Sequence, residues 1–216
     1  MKISPSKENI LKKIRKALSQ STPLPSPQSE GNSSVYKPSA QELEVEFAEQ
    51  FNSLQGRFIF CVNRQELAFQ FNSLVKKQNW EKVFCAEPGI LEIVGSQSPD
   101  RFTSEELEDC DVSVTGCECL VARTGSIVMS AAQSMGRTGS VYAPIHICIA
   151  FSNQLLYDIK DALLLIRNKY GDQLPSFIAS LAGPSRTADI EKTLVTPAHG
   201  PRDIFVFLVE DMPENN

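Results

Sequence analysis

Apolar residues recur along this chain with one of two periods, and each change of period marks an element. From Ser39 on, Leu43, Phe47, Phe51 and Leu54 fall on one helical face, and Ser39 with Glu42 has capping-box spacing. A helix opening at Ser39 is predicted. Residues 57 to 62 (RFIFCV) read as a strand; Asn63 and Glu66 then cap a helix whose apolar face is Leu67, Phe71, Leu74 and Val75. A strand at 82 to 86, a short helix at 88 to 94 opened by Pro88, and a strand at 111 to 115 follow. Strands alternating with helices pair in parallel through crossovers, so the pattern predicts an α/β architecture: a mostly parallel central sheet with helices on both faces.

The second half has a different rhythm. Residues 127 to 131 and 145 to 151 are strand-like runs separated by a polar loop too short for a crossover helix, which predicts an antiparallel pair. Residues 155 to 170 predict an amphipathic helix packing through Leu156, Ile159, Leu163 and Ile166 and ending at Gly171. The continuous apolar runs at 177 to 181 and 204 to 209 predict buried parallel strands. Arg123-Thr124-Gly125-Ser126 is echoed at Arg137-Thr138-Gly139-Ser140, two turns of the same chemistry rather than a repeat architecture.

Ahead of this domain the composition changes. Residues 4 to 18 place Ile10, Leu11, Ile14 and Leu18 on one face, surrounded by Lys7, Lys12, Lys13, Arg15 and Lys16, a helix expected to pack against its own domain or across a homodimer rather than on an acidic partner or a membrane surface. Residues 19 to 38 are rich in proline and serine and cannot build a core. The expected organisation is a basic helix and linker over 1–38 and one folded domain over 39–216. Hydrophobic content of 42%, 22% charged residues and a net charge of −5 fit a soluble globular protein and argue against a general nucleic-acid surface. Without a signal-peptide pattern or a long apolar run, a cytoplasmic location is expected. The six cysteines sit mostly in strand-like apolar runs, so Cys61, Cys85 and Cys148 are expected to be buried and unpaired. Cys117-x-Cys119 lacks the further ligands of a zinc or iron–sulfur site, so no metal and no bound cofactor are expected.

Chemistry concentrates in Gly183-Pro184-Ser185-Arg186-Thr187-Ala188-Asp189-Ile190-Glu191, read as strand, tight loop and helix start. Ser185 or Thr187 would cap that helix, its free amides would favour an anion, and Arg186 adds a planar cationic fork. Taken alone, the stretch favours a capped helix with Arg186 in a salt bridge, since caps outnumber anion sites, so its neighbours decide. His199-Gly200-Pro201 follows, and His199 is placed to act as general base or acid. Asp189 would orient Arg186 or a histidine. Thr124, Gly125 and Ser126 could bind an oxyanion or form a structural turn; Arg137 and Ser140 lie on the following loop. His146, between two isoleucines, reads as a hydrogen-bonded structural histidine.

Taken together, TGSIV (124 to 128), GPSRTADIE (183 to 191) and HGP (199 to 201) resemble the lactate-utilisation (LUD) domain family, and within it lactate utilisation protein C. The resemblance implies a three-layer α/β/α fold similar to sugar-phosphate isomerases and CoA-transferases. It also implies a subunit without clusters of its own, working with iron–sulfur partner proteins that oxidise L-lactate to pyruvate. Its motif carries over to Thr124, Gly125, Ser126, Arg137, Ser140, His146, Gly183, Ser185, Arg186, Thr187, Asp189, His199 and the residues beside them. Arg123 departs from it, standing where the wider family often has an acid, as does Thr196-Pro197-Ala198 before His199. The expected function is therefore a small-carboxylate or phosphate pocket in a lactate-oxidising complex. The alternative is an independent enzyme or binding module for a sugar phosphate or acyl-CoA, and a third reading is a purely architectural protein.

Overall fold

A computed structural model describes residues 12, 13, 16, 39, 41–95, 99–103, 107–136, 138–184, 187, 188, 194, 195 and 200–210; at 187, 188, 194 and 195 only the backbone is described. The chain divides between Pro38 and Ser39 into two compact units.

The second unit is built around a six-stranded, fully parallel sheet: β1 (Arg57–Cys61), β12 (Asp203–Val209), β7 (Ile145–Phe151), β4 (Val112–Thr115), β2 (Val83–Phe84) and β3 (Phe102–Thr103), in that spatial order. β7 and β12 are apolar along most of their length, His146 and Asp203 apart, because side chains on both faces are buried. One face carries Ile145, Ile147, Ile149, Phe205, Phe207 and Val209 against α2 (Arg64–Gln78) and α3 (Pro88–Val94), which contribute Leu67, Phe71, Val75, Ile90 and Val94. The other face carries Cys148, Ala150, Ile204, Val206 and Leu208 against Phe47 and Phe51 of α1 (Leu43–Ser53). That face also meets a second sheet of β8 (Leu155–Leu156), β5 (Cys119–Val121), β6 (Ser126–Ser130) and β9 (Ile178–Leu181). The far side of this sheet packs Cys119, Val121 and Val128 on Ala162 and Ile166 of α4 (Ile159–Tyr170). The α/β class and mostly parallel central sheet therefore hold.

Four local expectations are corrected. β6 and β7 do not pair: β7 lies between β12 and β4, while β6 runs antiparallel to β5 and β9 in the second sheet. The run 177 to 181 is not a buried parallel strand; β9 is an antiparallel edge strand with Ile178 exposed. α1 opens at Leu43, because Ser39 spends its hydroxyl on Gln41 within its own turn. α4 opens at Ile159 on Asp158, whose carboxylate accepts the Lys160 amide at 3.0 Å; residues 155 and 156 form β8, and Leu163 is exposed. Gly171, at φ +55, ends the helix as its position predicts.

Candidate functional site

The described parts of the motif loops meet at one end of the second unit's sheets. Thr124 closes a short 3₁₀ turn, Gly125 takes φ +56, and Ser126 opens β6 with its buried hydroxyl donating to the Thr124 carbonyl at 3.3 Å. A Cβ on Gly125 would sit 2.6 Å from the Phe51 amide nitrogen, so only glycine lets this turn lie on α1. Gly183 takes φ +89 and abuts the Leu54 carbonyl so closely that a side chain there would overlap it. β6 and β9 run antiparallel with Ile127 opposite Leu181, which brings the two loops to the same sheet end. Both therefore rest on the last turn of α1, just before β1 begins. The third loop arrives through Gly200, at φ +102, and buried Pro201; the Arg202 amide donates to the Pro144 carbonyl at 2.8 Å as β12 starts. Asp203 then pairs with Arg57, the first residue of β1, at 3.4 Å.

This is the amino end of the parallel sheet, where β1 and β12 begin, and the 183 to 191 loop reaches it from β9 of the second sheet. Nor does Thr187 start a helix: β10 (Thr187–Ala188) pairs antiparallel with β11 (Leu194–Val195). The β-branched residues at 187, 193, 195 and 196 favour a ribbon over a helix. A helix dipole at Thr187 is thus not available to an anion. Ser185, Arg186, Asp189, His199 and Arg137, with the side chain of Thr187, lie outside the described residues.

His146 lies two residues beyond Pro144, on the face of β7 that also carries Cys148 and Ala150, and Ser140 sits on a turn tied to the neighbouring strand β4. His146 is fully buried, pairs across to Ser113 and Ile204, and lies with Nε2 2.8 Å from Thr115 Oγ1. Thr115 Oγ1 also lies 3.0 Å from the Gly116 carbonyl, so an Nε2–H tautomer satisfies both contacts and leaves Nδ1 as a buried lone pair with no partner. Burial pushes the imidazole pKa down to about 4 and keeps it neutral. The Ser113 hydroxyl donates to the Gly139 carbonyl, which ties the turn bearing buried Ser140 to the same patch. The structural reading of His146 fits this setting.

Beyond Thr115, the segment 116 to 118 holds charge that sequence pattern alone does not single out. Glu118 is buried; it accepts from Ser130, from Tyr170 Oη at 2.7 Å and from Lys169 Nζ at 2.8 Å. Burial acts to raise its pKa, but the hydrogen bonds from Lys169, Ser130 and Tyr170 outweigh it and hold the carboxyl below its usual range. Glu87 accepts the Gly116 amide at 2.9 Å, and burial pushes its pKa up despite that bond, with the Glu118 charge adding to the rise. Glu87 borders a cleft of about 580 Å³ lined also by Arg64, Ser134 and Phe151, with the Arg64 guanidinium 5.4 Å from the Phe151 ring centre. One signal for Glu118 was present: a lone charge inside a cysteine-rich apolar run. Arg123, the departure from the motif, pairs with Asp158 at 2.7 Å and so serves the start of α4. All six cysteines are buried and unpaired. Among the described residues, no group of three or more histidine, cysteine or acidic residues could hold a metal ion.

Residues 44–209 match the LUD domain family. The chain belongs to the LUD domain family. Among curated relatives, an uncharacterized protein of Neisseria meningitidis serogroup B is 29% identical over 57% of this chain and 53% of its own. Lactate utilization protein C of Bacillus licheniformis is 32% identical over 50% of this chain and 45% of its own. This LUD-domain chain thus spans about half the length of the curated relatives it matches. A crystal structure of a DUF162 family protein from Deinococcus radiodurans aligns with a TM-score of 0.61 at 18% identity, over 80% of this chain and 99% of that one, and shares the fold.

Proposed function

We propose that this LUD-domain protein is a component of a lactate-utilisation system that carries no cluster of its own, and that its motif loops form a pocket for a small carboxylate or phosphate. The observation that carries the reading is the convergence of Thr124-Gly125-Ser126 and Gly183-Pro184 on one helix end, through two glycines whose conformation and spacing exclude a side chain. The β10–β11 ribbon begins three residues after Pro184. The names of the relatives supply the lactate system; the proposed partners are iron–sulfur proteins that carry the electrons. The chemistry asked of this chain is recognition: Arg186 as a bidentate donor to the oxyanion, His199 and Asp189 beside it, and Thr124, Ser126 and Thr187 as neutral hydroxyls.

The test combines purification with titration. A complex recovered from the native host through this protein should oxidise L-lactate. L-lactate or phosphate titrated into the purified protein by calorimetry should bind, and Arg186→Lys should lose about 1 to 3 kcal/mol of that binding at unchanged melting temperature, since lysine keeps the charge but not the fork. Intact affinity in the variant would remove Arg186 from the site. Binding of a sugar phosphate or acyl-CoA in place of lactate would favour the stand-alone module.

A further inference from the structure

The flank of α1 presents a feature the motif loops do not use. A groove of about 790 Å³ runs between α1 and β1, bordered by Glu42, Glu44, Glu49 and Glu210, with Val45 and Phe60 in its apolar lining. Val45 is 44% and Phe60 40% exposed, so apolar surface stands open among four carboxylates. β1 is also an edge strand, with β12 on its other side. An acidic rim around an apolar floor selects a ligand of opposite pattern: an apolar stripe flanked by cations.

This chain carries such a segment. Residues 4 to 18 put Ile10, Leu11, Ile14 and Leu18 on one helical face and hold five basic residues against the single acid Glu8. Lys12 and Lys13 are helical and exposed. We infer that the acidic groove between α1 and β1 receives the basic amphipathic segment of a second copy of this chain, so that the protein self-associates by exchange of this helix. The apolar stripe covers Val45 and Phe60, and the lysines meet the glutamates at the rim, where they set register and encounter rate rather than bulk affinity. Residues 19 to 38 give the reach: a coil of that length has a root-mean-square span of roughly 25 Å. The inference concerns assembly and stands whether or not the motif loops bind lactate.

The experiment is a charge exchange in the full chain, read by sedimentation equilibrium. Wild-type protein should associate with rising concentration, and at least tenfold more weakly in 0.5 M than in 0.05 M sodium chloride, as screened rim charges require. Lys12→Glu/Lys13→Glu and Glu49→Lys/Glu210→Lys should each lose association alone at least tenfold. Mixed at equal concentration they should associate with each other, because each then offers what the other groove or segment lacks. Melting curves of both variants, expected to match wild type at these exposed sites, separate lost docking from lost folding. Wild-type protein that stays monomeric at every concentration, or well-folded variants that fail to associate when mixed, would overturn the inference.

Discussion

His146 shows what a single buried titratable group does to stability. In the unfolded chain it takes a proton near pH 6.5, whereas burial holds the folded imidazole neutral down to about pH 4. Below pH 6.5 the unfolded state therefore binds the extra proton, and stability falls as pH falls, by up to about 1.4 kcal/mol per pH unit. Glu87 acts in the opposite sense, since its raised pKa lets the folded state take up a proton first. Urea denaturation at pH 7 and pH 5 should show wild type losing about 1 to 2 kcal/mol more than His146→Gln over that interval. Equal losses would mean that His146 is not held neutral. His146 was legible in the sequence because strand alternation alone fixed its face; Glu87 was not, since its role depends on an amide 29 residues away.

At the scale of elements, caps separate what local sequence decides from what it does not. Asn63 Oδ1 accepts the Glu66 amide at 2.8 Å, so the cap read at residue 63 is built as read, while Glu66 reaches past it to the Val62 amide at 2.8 Å. The same pattern at Ser39 and Glu42 is not, because the Ser39 hydroxyl closes a turn on Gln41 and Glu42 itself is the residue that caps α1. Asn63→Ala should then cost about 1 kcal/mol in urea denaturation and Ser39→Ala close to nothing. A comparable cost at both would place Ser39 back at the helix start. The elements between 57 and 94 were legible for a related reason: β1 and β2 are each followed by their own helix signal, whereas β3, two residues long, was not read. From 116 on, three-residue β5 and two-residue β8 carry too few positions to show a period, and the partners of β6 and β9 lie far along the chain. An apolar run gives neither strand direction nor a central place in a sheet, so the buried parallel reading of 177 to 181 had nothing in the run itself to correct it.

Across the whole molecule, the layers α2 and α3, parallel sheet, α1 with second sheet, and α4 are joined by separate apolar clusters, and the cysteines are distributed among them. Cys61 and Cys85 belong to the cluster under α2 and α3, Cys117 and Cys148 to that between the sheets, Cys119 to that under α4, and Cys110 to a small cluster with Phe84 and Ala143. Burial pushes the pKa of Cys61 and Cys85 up to about 11 and that of Cys119 to about 12, so none offers a thiolate at neutral pH while folded. Labelling at each site therefore reports opening of its own layer. The three larger clusters share strands: β7 and β12 face two of them, and β5 and β6 face two, so opening one exposes another. Cys61, Cys148 and Cys119 should label at one common rate, set by global unfolding and accelerated together by urea. Cys110 lies at the β2 side of the sheet among few apolar neighbours and should label first, with little urea dependence, through local opening. Mass spectrometry of peptides after timed alkylation measures the four rates in one experiment. If Cys119 labels well ahead of Cys61 and Cys148, the second sheet with α4 opens as an independent unit and the layers are not one cooperative fold.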